Sequence, residues 1–183
     1  MHTPGNQQNS NDQKSPKDAA PRRWVVMGVS GCGKSAIGTA LAAALAVPFV
    51  EGDAFHPAAN VAKMSAGIPL DDHDRSAWLL LLQAKIGAAR EAGTGLVVSC
   101  SALKRRYRDL LRAADPALYF VHLDGARDLI ATRLRHRAGH FMPPALLESQ
   151  LRDLEPLQAD EAGLRLDVAD TPAQLLEQIL ATT

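Results

Sequence analysis

Residues 28–35, GVSGCGKS, fit G-x-x-x-x-G-K-[ST], a spacing in which glycines let backbone N–H groups crowd onto phosphate oxygens. Gly28, Gly31 and Gly33 give the loop its room, with Val29, Ser30 and Cys32 between them. Lys34 would reach the β- and γ-phosphates of ATP, and the Ser35 hydroxyl would bind Mg2+. A helix opening at Lys34 would turn its positive dipole end toward the same anion. The motif implies a bound nucleotide; what the phosphate is used for must come from the rest of the chain.

The block EGDAFHPAANVAKM, residues 51–64, follows an apolar run directly. Asp53 would then lie beyond a strand end, where a carboxylate can accept the proton of an attacking hydroxyl and help orient Mg2+ through water. Asp53 and His56 fit equally well as turn residues capping the next helix. The run VVSCSALKRRYRDLLR, residues 97–112, lacks the terminal Asp of a Walker B strand. That absence argues against a motor-type ATPase and leaves the metal to Ser35, with Asp53. Lys104 and Arg108 are one helical turn apart, so they either bind an anionic substrate or form a solvated surface. Arg133 and Arg137, at i and i+4, precede Gly139, His140 and two prolines. An arginine-bearing flap over the nucleotide would exclude water and steady transferring charge; a basic helix end also suits the helix dipole.

These groups need a scaffold. Five short apolar runs, 24–28, 48–52, 95–100, 117–123 and 163–168, do not alternate, as expected of parallel strands covered on both faces. Helical patterns separate them. Ile37, Leu41 and Leu45 share one spacing, and Trp78, Leu82 and Ile86 repeat it after the acidic cap region at 71–74. Further helices are expected over 103–114 and 125–137, from Pro143-Pro144 onward, and after Thr171-Pro172, where Gln174 completes a capping box. Strand–helix alternation throughout predicts one doubly wound α/β domain.

The chain has 183 residues and a formal charge of +0, which disfavours a global attraction to nucleic acid. Residues 104–137 nevertheless hold nine basic side chains against four acids. Two cysteines without metal-type spacing suggest a reducing, cytoplasmic setting. No apolar run approaches a membrane span. Residues 1–22 are polar and read as a disordered tail, with folded structure over 23–183.

Four blocks together, MGVSGCGKS, GDAFHPAANVAKMSAGIPLDDHDRSAW, CSALKRRYRDLLR and RLRHRAGHFMPPALLESQ, closely resemble the bacterial thermoresistant-type gluconokinases over residues 24–181. The resemblance implies ATP-dependent phosphorylation of D-gluconate at its 6-hydroxyl. It implies a P-loop kinase fold with a five-stranded parallel sheet ordered 2-3-1-4-5, a lid at about 133–144, and a homodimer. It also implies that Asp53, His56, Lys63, Arg75, Lys104, Arg108 and His140 face the sugar acid, while Lys34, Asp53 and Arg133 act in catalysis and Arg133 and Arg137 meet ATP. Alternatives are a shikimate-kinase-like activity, for which a Gly-Gly pair would be expected where SCSALK stands, a nucleotide-gated binding protein, and a nucleic-acid kinase.

Overall fold

The computed structural model describes residues 22–136 and 144–183; the expected tail up to position 21, together with Arg137, His140 and most of the lid, lies outside the described residues. Five strands, β1 (Arg23–Met27), β2 (Phe49–Glu51), β3 (Leu96–Ser99), β4 (Tyr119–Asp124) and β5 (Gly163–Asp167), form one sheet. All its pairings are parallel, in the order β2-β3-β1-β4-β5. The central strand, β1, is buried at every position, which is why its sequence shows no alternation. Val25 lies beside Val98 of β3 on one side and Phe120 of β4 on the other.

The helices are α1 (Lys34–Leu45), α2 (Ala58–Ser65), α3 (Asp72–Glu91), α4 (Arg105–Ala114), α5 (Arg127–Arg135), α6 (Pro144–Asp153) and α7 (Pro172–Leu180). In α3 the stripe Trp78, Leu82 and Ile86 is wholly buried, and Asp71 and Asp74 close a capping box at its start. Thr171 and Gln174 do the same for α7. Each box satisfies N–H groups that a helix start otherwise leaves without partners.

The sequence pattern did not resolve α2 as an element, and its burial explains why: the helix buries only Asn60 and so has no apolar stripe to read. A 3-10 turn, Gly52–Phe55, links β2 to this segment.

Order β2-β3-β1 sets the carboxyl ends of three strands side by side, where ligands of open α/β sheets bind. Backbone bonds lock that edge. Cys100 N donates to Val26 O at 3.1 Å, and Gly28 N donates to Ser101 O at 3.3 Å.

One buried group has no such partner. His122, in the middle of β4, is 0% exposed, and among the described residues neither ring nitrogen is hydrogen-bonded. Burial holds its pKa down at about 4, against 6.5 for an ordinary histidine. Between those values the unfolded chain binds a proton that the native chain refuses, so stability falls as pH drops from 6.5 to about 4. This residue should account for about 3 kcal/mol of that loss. His122→Leu is expected to flatten the same stretch of the stability–pH curve. Urea titrations across that range check it, and an unchanged slope would rule out His122 as the source.

Candidate active site

The phosphate loop runs from β1 into α1 with Gly28, Gly31 and Gly33 all at positive φ. At Gly28 a Cβ would lie 2.5 Å from Leu123 O and 2.8 Å from Cys32 Sγ. At Gly31 it would meet Leu134 Cγ of α5 at 2.5 Å. Side chains there would force the loop off the sheet. Gly33 is the N-cap of α1, in the left-handed region, with no side-chain cap on the helix's first N–H groups. Those uncapped donors and the helix dipole suit an anion.

Lys34 is buried, and its Nζ donates to Val29 O at 3.1 Å, so the ammonium lies folded back over the loop. Ser35 is half-buried in the first turn of α1. Cys32 is sealed beneath the loop; burial raises its thiol pKa against the opposing pull of Lys34. Cys100, at the tip of β3, is pushed up to about 12 by burial. Both thiols stay protonated at neutral pH, which makes them poor nucleophiles.

Asp53 stands in the 3-10 turn with 63% of its side chain exposed. His56 is held firmly beside it. Its ring stacks on Trp78 at 4.1 Å with planes 19° apart, and Trp78 Nε1 in turn donates to Gly52 O at 2.7 Å. Asn60 Nδ2 is fixed as a donor by its 2.7 Å bond to Asp74 O, and it also faces His56 Nδ1 at 3.5 Å. His56 Nδ1 is therefore the acceptor, which puts the ring proton on Nε2, 4.0 Å from Asp53 Oδ1. Burial lowers the His56 pKa, with Asp53 opposing, so the ring is neutral near pH 7.

Arg75 is buried at the start of α3. Its Nε donates to Leu70 O and its Nη1 to Ser101 Oγ, both at 3.4 Å. Lys34 follows β1, Asp53 stands in the turn that follows β2, and Arg75 bonds Ser101 just past β3, so the three groups lie beyond the carboxyl ends of adjoining strands. A carboxylate and two cations thus share the strand-end edge where ligands of open α/β sheets bind.

The remaining expected residues separate. Lys63 is joined to Asp74 at 2.6 Å, a bond that raises its pKa. Lys104 is 3.1 Å from Asp72, which also accepts from Arg106 and Tyr107. These pairs bind α2 and α4 to the N-terminus of α3 and leave both ammonium groups partly exposed. Arg133, on α5, is exposed; its Nη2 donates to Val168 O at 2.7 Å, and its charge reaches Cys32.

Arg108 requires a correction. The expectation that it faces substrate fails, because it is 0% exposed and its donors are already engaged. Nε and Nη2 each bind Glu161 at 2.7 Å, and Nη1 and Nη2 donate to backbone carbonyls of Ala102, Leu103, Glu155 and Pro156. Lys104 and Arg108 share a turn, but only the first is partly exposed. The wider basic stretch is likewise engaged with acids: Arg105 with Asp160, Arg112 with Glu161, Arg127 with Glu148.

Several contributors had no signal in the sequence. Gln150 Oε1 accepts from Ser30 N at 2.7 Å across 120 residues. Glu51, at the end of β2, accepts from Ser99 Oγ, which itself accepts from Gly52 N at 3.1 Å, bracing the turn that carries Asp53. No Walker B acid ends β3, and among the described residues no group of three His, Cys, Asp or Glu could hold a metal. A cation here would rest on Ser35, water and the phosphates themselves.

Known proteins fit this arrangement. The shikimate kinase family model matches residues 30–182. A gluconokinase of Gluconobacter oxydans is 49% identical over 160 residues, 87% of this chain and 90% of that protein. A sugar-kinase structure from Janibacter sp. HTCC2649 superposes with TM-score 0.84 at 48% identity, covering 88% of this chain and 93% of the other. A gluconokinase structure from Sinorhizobium meliloti gives 0.81 at 47% identity, covering 88% and 91%.

Removing the buried guanidinium tests the corrected role. Arg108→Met leaves the Glu161 carboxylate in the core without its main partner and should cost about 3–5 kcal/mol in urea unfolding. If Arg108→Met instead weakened acceptor binding at unchanged stability, the residue would belong to the cleft after all.

Proposed function

The chain belongs to the shikimate kinase-like family and, within it, to the gluconokinases, and on that footing we propose that it phosphorylates D-gluconate at the 6-hydroxyl with ATP, giving 6-phospho-D-gluconate and ADP. The observation that carries this reading is the placement of Lys34, Asp53 and Arg75 beyond the carboxyl ends of the adjoining strands β1, β2 and β3. It brings together a phosphate-binding cation, a hydroxyl-directed carboxylate and a second cation for an acid group.

In this reading the amides of the loop that have no protein acceptor and the start of α1 grip the triphosphate, and Lys34 leaves Val29 O for the β- and γ-oxygens. Asp53 receives the 6-hydroxyl and takes its proton late in transfer, as suits a loose transition state in which positioning outweighs basicity. His56, neutral and fixed by Trp78, turns its Nε2–H toward Asp53 and keeps that carboxylate aimed. Arg75 takes the gluconate carboxylate, with Lys63 and Lys104 at the rim. Arg133 steadies the moving phosphoryl group, and the family resemblance assigns Arg137 to ATP and His140 to the sugar acid. Mg2+, held by the Ser35 hydroxyl and through water by Asp53, would neutralise charge between the β- and γ-phosphates. The two unpaired buried cysteines suit a cytoplasmic protein, and the family's usual homodimer is the expected assembly. No helix among the described residues is long and apolar enough to cross a membrane.

ADP release, coupled to a spectroscopic readout and compared across gluconate, shikimate and related sugar acids, tests the assignment. Gluconate should be strongly preferred; absence of gluconate-dependent ADP release would overturn it. Asp53→Asn is expected to lose about 10²-fold or more in turnover while still binding ATP. Lys34→Ala should lose nucleotide binding and rate together, and a near-normal ATP titration in that variant would contradict the loop assignment.

A further inference from the structure

The tip of the phosphate loop is held by parts of the chain remote in sequence. Leu134 of α5 fills the space over Gly31, and Gln150 of α6 accepts the Ser30 N–H at 2.7 Å. These two helices are themselves joined by the Arg127–Glu148 ion pair. α6 is seated in the core through Leu146 and Leu147, and Gln150 follows Leu147 by three positions, which places it on the same face.

The peptide unit between Val29 and Ser30 gives this contact its consequence. Its N–H is the one bound by Gln150. Its C=O is the acceptor of Lys34 Nζ at 3.1 Å and of Cys32 N at 3.4 Å. A peptide unit is planar, so fixing the N–H direction fixes the carbonyl direction as well. We infer that Gln150 is a positioning residue for Lys34: by holding the plane of the 29–30 peptide, its side-chain carbonyl sets where the loop lysine rests and the shape in which the loop meets a triphosphate. Without that acceptor the plane can rotate, the Val29 carbonyl swings, and Lys34 loses its parking site.

The inference rests on the ATP-loop reading above, and it separates from the identity of the acceptor because ATP binding can be followed without gluconate. The test uses the full-length protein and two length-matched variants. Gln150→Met keeps the side chain's length and removes the acceptor; Gln150→Glu keeps both and adds a charge. For Gln150→Met, kcat/KM for ATP should fall about tenfold, and calorimetric ATP affinity should weaken, while KM for gluconate stays within about twofold and Tm within a few degrees. Gln150→Glu should recover toward wild type as ionic strength rises and its added charge is screened, because its carboxylate still accepts from Ser30. Two results would overturn the proposal. One is a Gln150→Met enzyme with wild-type ATP parameters. The other is a loss spread equally over ATP, gluconate and Tm, with no recovery in Gln150→Glu, which would mark the residue as structural only.

Discussion

A loop that offers amides to an anion can use only a few of them to hold itself, and this constraint organises the molecule. Its support has to come from outside. The sheet supplies part of it through Gly28 N on Ser101 O and through Leu123 O, which stands where a side chain at Gly28 would project. Leu134 and Gln150 supply the rest at the tip. The glycines permit the shape; the neighbours enforce it.

The same division appears on the acceptor side. Asp53 is exposed, so its placement depends on buried groups beneath it. Trp78 binds the Gly52 carbonyl and stacks on His56, while Ser99 and Glu51 brace the turn from the strand side. Asn60, the one buried residue of α2, settles the His56 tautomer. A short, stripe-less helix thus matters for what it hydrogen-bonds, whereas α3 is anchored by Trp78, Leu82 and Ile86 in the core.

Charge is distributed on the same logic. The acids at the start of α3 collect Lys63, Lys104, Arg106 and Tyr107, which ties together the elements around the cleft at modest energetic return per exposed pair. Glu161 is different. Burial pushes its pKa up, but bonds from Arg108, Gln158 N and Arg112 outweigh that and hold it at about 2. That network fastens the chain before β5 to α4 and takes no part in the cleft.

The sequence alone marked most of the elements and a phosphate-loop motif. The valine-rich central strands, the i, i+4, i+8 stripe of α3, its acidic start, the capping box of α7 and the glycine spacing are local patterns, fixed by backbone sterics and side-chain periodicity. Resemblance to a known family added the sheet order and the acceptor. Tertiary structure alone decided which of two cations one helical turn apart meets solvent: Lys104 is partly exposed beside Asp72, and Arg108 is enclosed by Glu161 from 53 residues away. It also brought Gln150 to Ser30 and Glu51 to Ser99. Such pairings depend on how distant segments pack, and a side chain's own neighbours in sequence carry no trace of the partner that packing will give it.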